Sequence, residues 1–219
     1  HAAHSVGSCR CVAAERETGG AATPASTPAA ETPHGMADAD RLIDSVLEAA
    51  EGTDGGMSVA AEQRAELDGW VSQLGDLGRR QRPLKDERLF GNWNVVYTST
   101  GKAAGNSSPS GGRFRGALGR LLFRTEGLFQ SVLPGDDGAP VVVNKVAFRL
   151  LGLLPGYVAL RGRAEPVPDD ADDATVKVTF EPPVLSFGGS PGFRIGRPSS
   201  VRLTTTYLDG RVRLGRGQF

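Results

Sequence analysis

Histidine is nearly missing from this chain: the three residues, at positions 1, 4 and 34, all precede its strongly patterned part. No Ser/His or Cys/His couple and no imidazole metal site can therefore be assembled there. Cysteine is as scarce. Cys9 and Cys11 supply neither four zinc ligands nor a disulfide framework. Long apolar runs are missing too, because the richest stretch, 141–160, is broken by Asn144, Lys145, Arg149, Pro155 and Gly156, which excludes a bilayer-spanning helix of about 20 residues. Net charge is absent, with 25 basic residues against 25 acidic ones. The Gly-rich pieces Gly111-Gly112 and Gly188-Gly189 do not follow strand-to-helix grammar, and no calcium-type acid ladder occurs. No cofactor and no metal is expected.

What is present is unevenly placed. Residues 1–83 hold 7 Lys/Arg and 13 Asp/Glu, whereas 84–219 hold 18 and 12, and all nine Phe and three Tyr lie in the second part. Aromatics supply much of the buried area of a core, so the core is expected there. The first fourteen residues, without an acid and rich in Ala and Ser, have transit-peptide composition. The Ala/Thr/Pro/Gly bias that follows reads as a linker, so 1–37 is expected to be a transit-peptide remnant and disordered linker.

Two amphipathic helices are expected within 38–83. Leu42, Ile43, Val46 and Leu47 stand at helical spacing, and a second helix, opened by Ser58 with Glu62 near the capping-box position, carries Val59, Leu67, Trp70, Val71 and Leu74. Their apolar stripes are narrow, so they should dock on the C-terminal body; binding a lipid surface or a partner is the alternative. Beyond Leu84 the period becomes two. Strands are expected at 92–99, 141–150, 157–163, 176–181, 201–208 and 211–214, with turns at Pro134–Gly138, Pro155-Gly156, Asp169–Asp173 and Asp209-Gly210. Short strands joined by tight turns predict a closed antiparallel barrel or sandwich.

Gly91-Asn92-Trp93 at the entrance of the first of these strands resembles the start of calycin barrels such as lipocalins. There the indole plugs the closed end and an arginine of the last strand packs across it. Alternation in the final strand puts Val212, Leu214 and Arg216 on one face, which makes Arg216 the expected partner of Trp93. The stretches LFGNWNVVYTS (89–99) and LTTTYLDGRVRLGRG (203–217), with GRLLF (119–123), VNKV (143–146) and VTFEPP (178–183) between them, resemble the plastid lipid-associated protein, or PAP/fibrillin, family. The resemblance covers about 38–217 and implies a mainly β, lipocalin-like barrel preceded by two helices. It implies a non-enzymatic chloroplast protein of thylakoids or plastoglobules that organises lipids. Family members continue past this point into an apolar segment that completes the last strand, so the C-terminus is expected to be truncated at Phe219; were the polypeptide to end there, barrel closure would be in doubt and a strand edge left unpaired.

A barrel lined by Val95, Tyr97, Val146, Phe148, Leu160, Val178, Phe180 and Leu203 would suit a lipid or isoprenoid, a carotenoid or prenylquinone; a filled core is the alternative. Arg113, Phe114, Arg115, Arg120 and Arg124 could rest on an anionic membrane or belong to the barrel wall. No aromatic stacking platform accompanies these cations, so nucleic acid is not an expected partner. Were the barrel an enzyme acting on a lipid, Glu181, Asp209, Tyr97 and Tyr207 would be its acid and base candidates; a scaffold for photosynthetic complexes is a third reading.

Overall fold

The computed structural model describes residues 8–16, 33–79, 81–99, 122–168 and 170–218. Ten strands are present among them: β1 (Ser8–Arg16), β2 (Gly91–Thr98), β3 (Phe123–Leu133), β4 (Val141–Leu150), β5 (Leu154–Pro166), β6 (Thr175–Phe180), β7 (Val184–Phe187), β8 (Phe193–Arg194), β9 (Ser199–Leu208) and β10 (Val212–Gln218). Every pairing is antiparallel, in the order β4-β3-β2-β1-β10-β9-β6-β5, and a β4–β5 ladder brings the sheet back on itself. The β7–β8 hairpin extends the free edge of β5 next to β6. The result is a nearly closed barrel. Its incomplete seam lies between β2 and β3, whose ladder runs from Gly91↔Val132 only as far as Asn94↔Phe129.

Period-two patterning placed β4, β6 and β9 within a residue or two, but three expectations change. The linker assigned to 1–37 contains β1, which pairs with β2 on one side and β10 on the other. Alanine and cysteine carry little apolar signal, and the strand is held by main-chain hydrogen bonds that composition does not encode. β10 is thus paired on both edges, with β1 and with β9. Pro155-Gly156 is not a turn: both residues lie inside β5 and the hairpin turns at Leu151–Leu153. Gly156 is small for another reason, because a Cβ there would come within 2.8 Å of the Phe148 ring. β3 was not anticipated, since a bulge at Glu126, opposite the step from Phe148 to Ala147, interrupts its alternation.

Helices α1 (Pro33–Ala50) and α2 (Ala61–Leu77) precede the main run of strands. Ser58 does not cap α2; the N-cap is Ala60, without a side-chain bond. The preceding loop is instead tied by Arg64, whose guanidinium donates to the carbonyls of Gly56 (2.8 Å) and Val59 (3.3 Å). Ile43, Val46, Leu67, Val71 and Leu74, none more than 2% exposed, pack with Tyr97, Tyr207, Val212 and Leu214 of the sheet. Burying an aliphatic side chain of this size stabilises by about 1.5–3 kcal/mol, so the helices are held on the barrel by a second core. Two 3₁₀ turns, Pro83–Lys85 and Glu87–Leu89, lead into β2. Leu84, Leu89 and Phe90 pack with Trp93, Val132 and Leu208, covering that end of the barrel.

Candidate functional site

Two bulges decide which side chains face the barrel. Opposite Ala13 and Ala14 the register of β2 slips at Val96, and opposite Leu214 and Gly215 that of β9 slips at Thr206. A bulge reverses the alternation beyond it. Trp93 therefore packs with Leu208 and Val132 within the barrel, while Tyr97 and Tyr207 join the helix-facing cluster. Tyr97, expected among the lining residues, is instead a docking residue. Its hydroxyl donates to Asp68 Oδ1 of α2 at 2.8 Å, and burial together with this carboxylate pushes the phenol well above the ordinary tyrosine range.

The arginine over Trp93 is also not the one expected. Arg216 is exposed. Val212 and Leu214 face the helices, so the intervening Arg213 faces the barrel with its guanidinium carbon 5.6 Å from the indole centroid. A second arginine, Arg16 of β1, stands 4.7 Å from the same ring and donates to the Arg88 carbonyl. Gly91, with φ 145°, leaves space for Arg16; a Cβ there would come within 3.1 Å of Arg16 Nη1. Arg213 Nε has no hydrogen-bond partner, and burial lowers the guanidinium pKa from the ordinary arginine range to about 10.

Register defines the inward row at this level. Arg16↔Trp93, Trp93↔Gln130, Gln130↔Asn144 and Asn144↔Leu160 are cross-strand neighbours, and Gln130 Nε2 donates to Asn144 Oδ1 at 2.6 Å. Composition alone did not reveal this polar pair, because Gln130 lies on the strand that was not anticipated. The remaining expected lining residues divide. Val178 and Phe180, at 0% and 5% exposure, pack with Val142, Ala164 and Val201, and Phe148 packs with Val158 and Leu185; Leu160 joins the two clusters and Leu203 the first. Val146 and its inward neighbour Leu128 are only half-buried, as are Gln130 and Asn144. The inward residues of β5, β6 and β9 are packed together with Val142 and Phe148 of β4, whereas Leu128 and Val146, beside the open part of the β2–β3 seam, are only half-buried.

A groove of about 510 Å³ adjoins β2 beyond the paired part of that seam, with Val95, Val96, Leu47 and Ala50 among its walls and the exposed Glu48 and Glu51 beside them. The acid and base candidates have structural occupations. Glu181 pairs with Arg194 at 3.0 Å, and Asp209 Oδ1 accepts the backbone amides of Arg211 and Val212, each at 2.7 Å, while its Oδ2 accepts from the Tyr207 hydroxyl. Of the cationic stretch, Arg124 is exposed on β3; Arg113, Phe114, Arg115 and Arg120 lie outside the described residues.

No solved structure matches the chain significantly. Among curated proteins it is 36% identical to "Probable plastid-lipid-associated protein 8, chloroplastic" of Arabidopsis thaliana, over 81% of this chain and 68% of that protein. It is 25% identical to "Probable plastid-lipid-associated protein 2, chloroplastic" of the same plant, over 81% and 67%. The PAP_fibrillin family model matches residues 40–188, from within α1 to the β7–β8 turn. On that match and the first of these relatives, the chain belongs to the PAP/fibrillin family of plastid lipid-associated proteins.

Proposed function

We propose that this chain is a chloroplast protein that holds or shields an isoprenoid lipid in its barrel at a thylakoid or plastoglobule surface, without covalent chemistry. The observation that carries the reading is the uneven burial of the barrel lining: Leu128 and Val146 are half-buried next to an incomplete seam, while Val178 and Phe180 of β6 are packed. A mostly apolar lining with few polar groups suits a lipid. The Gln130–Asn144 pair adds one polar point to that lining, which a prenylquinone, with carbonyl acceptors on its head and an apolar tail, uses better than a pure hydrocarbon carotene. The acids considered for catalysis are engaged in an ion pair and a turn, which favours binding over turnover. The names of both relatives point the same way.

The test is native mass spectrometry of the protein after incubation with a plastid lipid extract. A stoichiometric prenylquinone adduct is expected, and Val146→Trp, which fills the half-buried site, should lose it while retaining the wild-type circular dichroism. A folded wild-type protein that takes up no lipid from the extract would overturn the reading.

A further inference from the structure

At the end of the barrel opposite the one covered by Leu84, Leu89 and Phe90, the β4–β5 hairpin turns through Leu150-Leu151-Gly152-Leu153-Leu154-Pro155, six residues without a polar side chain. Leu151 is 67% exposed, Leu153 82% and Leu154 42%. Three adjacent leucines in water at one protruding tip are unusual for a folded surface. The turn itself does not ask for them. Leu151 has φ 51° and Gly152 φ 73°, left-handed conformations that Asn-Gly or Asp-Gly would hold with less strain and better solvation. The turn chemistry and the composition thus pull in opposite directions, and the leucines need another reason.

The surroundings supply it. Leu151 N donates to the Leu122 carbonyl at 2.7 Å and Leu153 N to the Leu150 carbonyl at 3.1 Å, so the amides of both tip leucines can leave water already paired. Arg124 and Arg149 face each other across β3 and β4 directly behind the tip, and both are exposed. Arg149 is bonded to Glu126 at 2.5 Å. Farther back on the outer face Lys145 lies 5.0 Å from the Tyr157 ring centroid. Among the described residues no carboxylate lies within ion-pair distance of Arg124 or Lys145. An apolar point backed by cations and an interfacial tyrosine matches the layering of an anionic lipid surface, with acyl chains beneath charged head groups. β3 begins and β2 ends at this same end, because Phe123 pairs with Leu150, so the open part of the β2–β3 seam lies beside the tip.

Resting on the lipid-surface reading above, we infer that the tip of the β4–β5 hairpin inserts Leu151, Leu153 and Leu154 into an anionic lipid surface and brings the open part of the β2–β3 seam against it. The experiment is co-sedimentation of the full chain with mixed phosphatidylcholine–phosphatidylglycerol vesicles, using wild type and the double variant Leu151→Asn/Leu153→Ser. Asparagine accepts the left-handed backbone, so the variant should melt no lower than wild type. Its vesicle affinity should fall on the order of tenfold or more, the effect of withdrawing two leucines from the acyl boundary. Leu153→Trp should bind like wild type, and brominated acyl chains should quench the added fluorescence.

If wild type binds and the double variant binds equally well, the tip is refuted while attachment to lipid surfaces stands. If wild type does not bind, attachment to lipid surfaces and the tip fail together. If the leucines instead hold a second copy of the chain, sedimentation velocity will show a dimer that the variant splits with vesicle binding unchanged, which also overturns the inference.

Discussion

Replacing Arg213 by methionine should stabilise the barrel, although it removes an arginine from beneath the core tryptophan. The residue is 8% exposed, and its Nε has no hydrogen-bond partner. Burial lowers its pKa from the ordinary arginine range to about 10. At about 1.4 kcal/mol per tenfold change in proton affinity, the charged form costs the folded state about 3 kcal/mol. Stacking on Trp93 offsets ~1–2 kcal/mol of this, and Arg16 on the same ring adds a second cation. Methionine keeps the length of the side chain, and its sulfur makes its own contact with the indole, of ~0.3–1.5 kcal/mol. Arg213→Met should therefore gain about 1–2 kcal/mol at neutral pH, a rise in Tm of roughly 2–8 °C for a chain of this size.

The sign with pH follows from a cation whose folded pKa lies below its unfolded value. The penalty is fully present below about 10 and fades as the pH rises from there towards the ordinary arginine range. The advantage of the variant should narrow across that window. Urea denaturation of both proteins at neutral and alkaline pH checks this. A variant less stable than wild type by more than about 1 kcal/mol at neutral pH would refute the reasoning, because it would mean that the guanidinium is held by interactions worth more than its desolvation costs.

Two further outcomes follow from the same geometry. Tyr97→Phe should cost about 1 kcal/mol in urea denaturation by removing the hydroxyl that donates to Asp68, and it should leave lipid uptake unchanged, since Tyr97 faces the helices; loss of uptake with stability intact would return it to the lining. Asp170 Oδ2 accepts the amides of Ala174 (2.9 Å) and Thr175 (2.6 Å), and the first of these bonds is the largest cause of its lowered pKa. A depressed carboxyl pKa stabilises above the unfolded value near 3.8 and loses that contribution as the pH falls through the folded value, so Asp170→Asn should unfold at lower urea than wild type at pH 7, with the gap closing below about pH 3.8.

Much of the barrel could be read from side-chain alternation, because a half-buried strand must place apolar groups on every second residue. Val141–Leu150 shows the rule well, and Val201 and Leu203 face the core it predicts. The readings that changed sit at bulges or on strands without an apolar load. The slip at Val96 turned Tyr97 towards the helices, and the bulge at Glu126 concealed β3 and with it Gln130. On β10 the period was right and the side was wrong. Its apolar face, Val212 and Leu214, is covered by helices, so the arginine that meets Trp93 is Arg213 instead of Arg216.

Periodicity and local motifs are properties of neighbouring residues, so the class of fold, the helices ahead of the barrel and the family were legible in the order of the residues. Which face of each strand is interior, which segment lies between β2 and β10, and that four leucines share one protruding hairpin end came only with the folded chain. Those facts depend on pairings between residues far apart in the chain. A bulge that shifts one ladder by a single residue, or a second layer packed on the outer face, changes the environment of a side chain without changing the local pattern from which it was read.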